Sequence, residues 1–319
     1  MRAAFVAFLL AAASLSSAAA ETQPYRAGIA RLLVQGNEPF SVLVWYPSPA
    51  EETEWQQGPF PIQATRDAPI APGPNFPIVL FSHGGGASGG SPLIHREIAR
   101  YLARAGFIVI APFHSADQPR LRLRPLQIRL AFEAVRADPR FGRRADAERV
   151  GMIGFSLGGA VALITADAVP NLALLSAYCR EHGYDRRACA GVPTNPPADG
   201  APGPKPAEPL TLKAIVLLEP LAALFDRDGL AAVTMPVLLY RALQSDLGPE
   251  GNALALARNL PKPPREETVP GGHFVLADPC PPAVAAEADE VCKDAAGIDR
   301  AAVQRRIESE IAEFLRGAL

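Results

Sequence analysis

Five short apolar runs constrain this chain more than any other feature: Pro77 to Phe81, Phe107 to Ile110, Val150 to Phe155, Ala214 to Leu218 and Val237 to Tyr240. Near-continuous Val, Ile and Leu over five or so residues is what a parallel strand buried on both faces requires, because neither face can be polar. Between the runs lie segments with helical spacing. Ser91 caps one, with Pro92 at its first position, Ile94, Ile98, Tyr101 and Leu102 on one face and Gly106 as its stop. Ile128, Phe132 and Val135 form a second face, and Asp299 opens a last helix with Val303, Ile307, Ile311, Phe314 and Leu315 on one stripe. Strand and helix alternation of this kind specifies an α/β class, a mostly parallel doubly wound sheet. Ahead of it, Ala27 to Val34 and Ser41 to Tyr46 read as an antiparallel N-terminal hairpin.

The first 20 residues stand outside this pattern. Arg2 precedes an uncharged run from Ala3 to Leu15, and small residues lead to Ala20 before Glu21. This is the layout of a signal peptide cut after Ala20. The run is shorter than the roughly 20 apolar residues a membrane span needs. An exported protein, periplasmic or secreted and without a stable membrane anchor, is therefore expected, with residues 21–319 forming one domain. Net charge is -2, from 31 Lys and Arg against 33 Asp and Glu, which supplies no basic field for nucleic acid.

Export gives meaning to the four cysteines, Cys179, Cys189, Cys280 and Cys292. In an oxidising compartment an even number predicts disulfides, and pairing within each local pair is preferred among the three connectivities. A zinc site is disfavoured, since no CxxC spacing occurs. The first pair lies in an unusually long connection from Asp167 to Leu210. Its second half, Gly191 to Pro209, holds seven prolines and three glycines. This segment reads as an irregular, cap-like insertion.

The chemistry begins at Gly154-Phe155-Ser156-Leu157-Gly158-Gly159, which follows a strand and opens a helix. A Gly-x-Ser-x-Gly turn in that context is a nucleophile elbow, with Ser156 as nucleophile. The strand Pro77 to Phe81 runs into Ser82-His83-Gly84-Gly85-Gly86. There a side-chain-free turn can bring a backbone N–H to a developing oxyanion, so Gly85 and Leu157 are the expected oxyanion donors. Gly84 to Gly89 also fits the dinucleotide fingerprint. That reading fails because the next strand ends without the acidic residue that holds a ribose. No cofactor or metal is implied.

Chain order Ser, acid, His then selects the base. His83, His95 and His114 precede Ser156, and His182 falls in the insertion, whereas His273 in Gly271-Gly272-His273-Phe274 follows the last strand candidate, Glu266 to Val269. His95 reads as a surface-helix residue and His83 as a structural one. Asp246, after Met235 to Tyr240, is the preferred acid. Glu219, at the end of Leu217-Leu218-Glu219, is the alternative.

The set Trp45-Tyr46-Pro47, Phe81-Ser82-His83-Gly84, Gly154 to Gly159, Gly272-His273-Phe274 and Asp278-Pro279-Cys280 with a second late cysteine resembles the predicted dienelactone hydrolase family of exported α/β-hydrolases, similar to platelet-activating-factor acetylhydrolase. The resemblance spans about Arg26 to Leu315. It implies an α/β-hydrolase fold and a cofactor-free serine esterase acting on small-molecule carboxylic esters through an acyl-enzyme. The acetylhydrolase branch takes its acid one strand earlier, where Glu219 falls. An amide or lipid acetyl-ester hydrolase on the same triad, and an exported binding protein on a hydrolase scaffold, are the alternatives.

Overall fold

A computed structural model of the chain describes residues 24–36, 38–85, 90–114, 120–192 and 210–319. The expected signal peptide and most of the proline-rich half of the insertion, 193–209, lie outside them. The chain opens with a hairpin, β1 (Arg26–Val34) and β2 (Phe40–Ser48), paired antiparallel from Arg26 against Ser48 to Val34 against Phe40. Short strands β3 (Glu54–Gln57), β4 (Phe60–Gln63) and β5 (Thr65–Arg66) follow; β3 and β4 form a separate two-stranded ribbon that the sequence pattern did not reveal.

The alternating part then runs β6 (Phe76–Ser82), α1 (Arg96–Arg104), β7 (Ile108–Pro112), α2 (Arg120–Ala137), β8 (Ala145–Phe155) and α3 (Leu157–Thr165). After helices α4 (Leu172–Glu181) and α5 (Arg186–Cys189) come β9 (Ala214–Leu218), β10 (Val237–Ala242), α6 (Ala253–Asn259) and β11 (Arg265–Val269). One-turn helices α7 (Pro282–Ala285) and α8 (Asp289–Cys292) precede the long α9 (Arg300–Ala318). The main sheet is ordered β11-β10-β9-β8-β6-β7-β2-β1-β5. The pairs from β11 through β7 are parallel, and β2 is antiparallel to both β7 and β1.

The apolar runs are continuous because alternate residues serve two cores. Ile78, Leu80, Ile215 and Leu217 pack on the face covered by α2 and α3, with Ile128, Phe132 and Val161. Val79, Phe81, Val216 and Leu218 pack on the opposite face, with Ile98 and Leu102 of α1 and Ile307 and Ile311 of α9. Burying each such side chain contributes about 1.5–3 kcal/mol, so neither face tolerates a polar residue. Asp299 Oδ1 accepts the Ala302 N–H at 2.9 Å and caps α9 as expected, whereas Ser91 Oγ, which accepts the Leu93 N–H at 3.2 Å, caps a 3-10 turn, Pro92–His95, that precedes α1 rather than α1 itself.

The cysteines pair locally, Cys179 with Cys189 and Cys280 with Cys292, at Cα separations of 5.3 and 5.5 Å. The first bridge ties α4 to α5, so the insertion is not irregular throughout as the sequence reading expected: its first half carries two helices. The second closes a small loop behind Asp278, whose backbone N–H donates to Ile94 O at 2.8 Å. A loop of this size limits the unfolded chain by about 3 kcal/mol. Selective reduction of Cys280–Cys292 is expected to lower the urea midpoint accordingly, as followed by tryptophan fluorescence; an unchanged midpoint would show that the loop is held by packing alone.

Candidate active site

Ser156 sits where β8 ends and α3 begins, with φ +54° and ψ −119°, a conformation costly for any L-residue. It is held by its own backbone. Its N–H donates to Leu218 O at 3.0 Å, and its carbonyl accepts from Gly159 N–H at 2.9 Å and Leu221 N–H at 3.0 Å. The flanking glycines are steric necessities. A Cβ on Gly154 would lie 2.2 Å from Gly158 O, and one on Gly158 would lie 1.9 Å from Ser82 O.

The other residues of interest come from the C-terminal ends of neighbouring parallel strands, the edge at which open α/β sheets bind their ligands. The loop after β6 crosses directly against Ser156: a Cβ on Gly84 would meet Phe155 Cδ1 at 2.8 Å and Ser156 Cβ at 3.3 Å. Gly85 continues this loop, half-buried, while Leu157 is the first residue of α3. His273 opens a 3-10 turn after β11 and is buried, its ring 4.8 Å from that of Phe155, the residue before Ser156.

The two candidate acids part company here. Glu219 directly follows β9 in another positive-φ conformation, φ +46°, and is buried. Its Oε1 accepts the Ala242 N–H at 2.7 Å, and its Oε2 accepts from the Ser245 hydroxyl and lies 3.4 Å from His273 Nδ1. Asp246, the preferred acid of the sequence reading, is bonded elsewhere. It is exposed and pairs with Arg187 of α5, which also bonds Glu290 at 3.0 Å and stacks 4.6 Å over the Phe274 ring. Partial burial pushes the Asp246 pKa up, but the hydrogen bond and the charge of Arg187, with smaller local contributions, together hold the carboxyl below its ordinary value. The geometry thus joins Glu219, not Asp246, to His273.

His95 is the second departure. It lies in a 3-10 turn, Pro92–His95, whose tighter winding shifts the helical phase and buries it, so it is not the surface residue expected. Its ring is 4.9 Å from both Phe81 and Phe155, and neither nitrogen has a hydrogen-bond partner among the described residues. Burial, with the neighbouring His83 and Arg96, pushes its pKa down to about 3. Folding therefore requires the neutral form, and the associated stability is complete above the unfolded value of 6.5 and lost as pH falls from there towards 3. His95→Phe is expected to raise stability at pH 7 by about 1–3 kcal/mol, the cost of unpaired buried polar atoms. The gain should widen by about 1.4 kcal/mol per pH unit below pH 6.5. Urea titrations of both proteins at pH 7 and pH 5 check this, and a gap that narrows on acidification would contradict it.

Among the described residues no group of three or more His, Cys, Asp or Glu is arranged to hold a metal ion, and no helix is long and apolar enough to cross a membrane. No family model and no curated protein matches the sequence. Solved structures do resemble it. A ferulic acid esterase from Streptomyces cinnamoneus superposes with a TM-score of 0.59 at 20% identity, over 95% of this chain and 92% of that one. An esterase from the fungus Rhizomucor miehei superposes with a TM-score of 0.52 at 16% identity, over 93% of this chain and 85% of that one. At such identities the likeness concerns architecture, and with the strand order above it identifies the chain as an α/β-hydrolase fold.

Proposed function

We propose that this chain is a serine hydrolase of small-molecule carboxylic esters, with Ser156 as nucleophile, His273 as base, Glu219 as acid, and the Leu157 and Gly85 amides as oxyanion donors. The observation that carries the reading is a strained serine at the strand-to-helix turn, with a buried imidazole paired to a buried carboxylate beside it. A carboxylate facing Nδ1 favours the tautomer with the proton on that nitrogen, which leaves Nε2 free to take the Ser156 proton. Attack on the ester carbonyl gives a tetrahedral oxyanion, collapse releases the alcohol, and water activated by the same imidazole frees the acid.

The esterase character of the two structural neighbours supports an ester over an amide, and the quoted motifs support a place beside the exported dienelactone hydrolase family. Two disulfides agree with export into an oxidising compartment, with residues 21–319 as the mature hydrolase domain. A panel of p-nitrophenyl esters of rising chain length, run beside matching anilides, tests the reaction class. Ester turnover well above anilide turnover is expected, and preference for the anilides, or no turnover of either, would overturn it.

A further inference from the structure

The loop that carries Gly85 is fastened by buried groups that the proposed reaction does not consume. His83 and Arg124 are fully buried, and His114 is nearly so. His83 Nδ1 lies 2.6 Å from Gly84 O, a group that only accepts, while its Nε2 accepts the His114 N–H at 3.2 Å. The imidazole is therefore the neutral tautomer with its proton on Nδ1. Burial, with the charge of Arg124, pushes its pKa down to about 3 and keeps the ring uncharged through the neutral range. Arg124 reaches from α2, and its Nη1 donates to His83 O at 3.0 Å and Gly84 O at 3.4 Å. His114 completes the support, with Nδ1 2.8 Å from Gln127 Oε1 and Nε2 3.0 Å from Ser82 Oγ.

The Gly84 carbonyl and the Gly85 N–H belong to one planar trans peptide and point in opposite directions. Two donors on that carbonyl, one of them cationic, consequently fix where the N–H points and polarise it as a donor. We infer that Arg124 and His83 are positioning residues that orient the Gly84–Gly85 peptide so that the Gly85 N–H is preorganised for the oxyanion. A charge without solvent exposure is costly to bury, and preorganising a donor before charge develops is a return that glycines, having no side chains, do not supply by themselves. The inference rests on Ser156 being the nucleophile.

Both half-reactions pass through an oxyanion, so loosening its donor lowers kcat without altering substrate binding. Turnover of p-nitrophenyl acetate, and inhibition by phenylboronic acid, which forms a tetrahedral anion on a serine, are measured for Arg124→Met and Arg124→Lys. Arg124→Met is expected to lower kcat by about tenfold or more, towards the 10²–10³ lost with an outright donor. KM should hold within about threefold, and boronate affinity should fall in step with kcat. Lysine restores part of both. Should Arg124→Met not fold, His83→Phe against His83→Asn, which returns an N–H near the Nδ1 position, gives the same reading. Folded variants with wild-type kcat, or with raised KM and unchanged boronate affinity, overturn the inference alone. Hydrolysis retained in Ser156→Ala overturns the serine reading and this inference with it.

Discussion

Ser156→Ala is expected to lower ester turnover by about 10⁶, and His273→Ala by a similar factor, since a nucleophile and its base act as one unit. The double variant should be no worse than either single one for the same reason. Folding should survive the serine change. The Ser156 side chain is small and only half-buried, so truncating it leaves little unfilled space, and alanine suffers the positive φ no more than serine does. Burst kinetics with a chromogenic ester and circular dichroism on the same samples separate lost chemistry from lost fold. Turnover above a tenth of wild type in a folded variant would remove either residue from its role.

The second large effect belongs to the acid. Glu219→Gln should cost about 10⁴ in turnover, the scale of losing the tautomer control a triad acid provides. Glutamine can keep the acceptor that satisfies the Ala242 N–H, so its amide NH₂ is left facing His273 Nδ1. That nitrogen must then be the bare one, and the proton moves to Nε2, where a base is needed. Asp246→Asn should stay within a few-fold of wild type, because that side chain is exposed and tied to Arg187. Its loss should loosen α5 instead, seen as faster proteolysis near the Cys179–Cys189 bridge. A large loss of turnover in Asp246→Asn with little in Glu219→Gln would return the role to the later strand.

The contrast between these two acids marks how far the sequence was legible. Runs such as Val150 to Phe155 and Ala214 to Leu218 can hardly be anything but central parallel strands, and the elbow at Ser156 follows from glycines that sterics demand. Chain order leaves one late histidine, whereas two successive strand-end turns each offer an acid. What separates them is tertiary: Glu219 is buried by the turn that closes on Ser245, while Asp246 is claimed by an arginine about 60 residues upstream. The clue available beforehand was an acid ending a wholly apolar strand, a place where carboxylates are rarely left without a purpose. Arg124 was invisible for a related reason. An arginine among Arg122, Pro125 and Arg129 reads as part of a solvated helix face, and only the packed loop reveals it as buried. His95 failed on periodicity, since a single 3-10 turn rotates the residues before α1 out of α-helical phase.

The central claim is that Ser156 is an activated nucleophile, and covalent labelling tests it most directly. Wild-type protein treated with a fluorophosphonate should gain the mass of one adduct, with Ser156 as the modified residue in the digest. Ser156→Ala should gain none, and Glu219→Gln should label far more slowly. An adduct on another residue, or unchanged labelling of Ser156→Ala, would contradict the assignment.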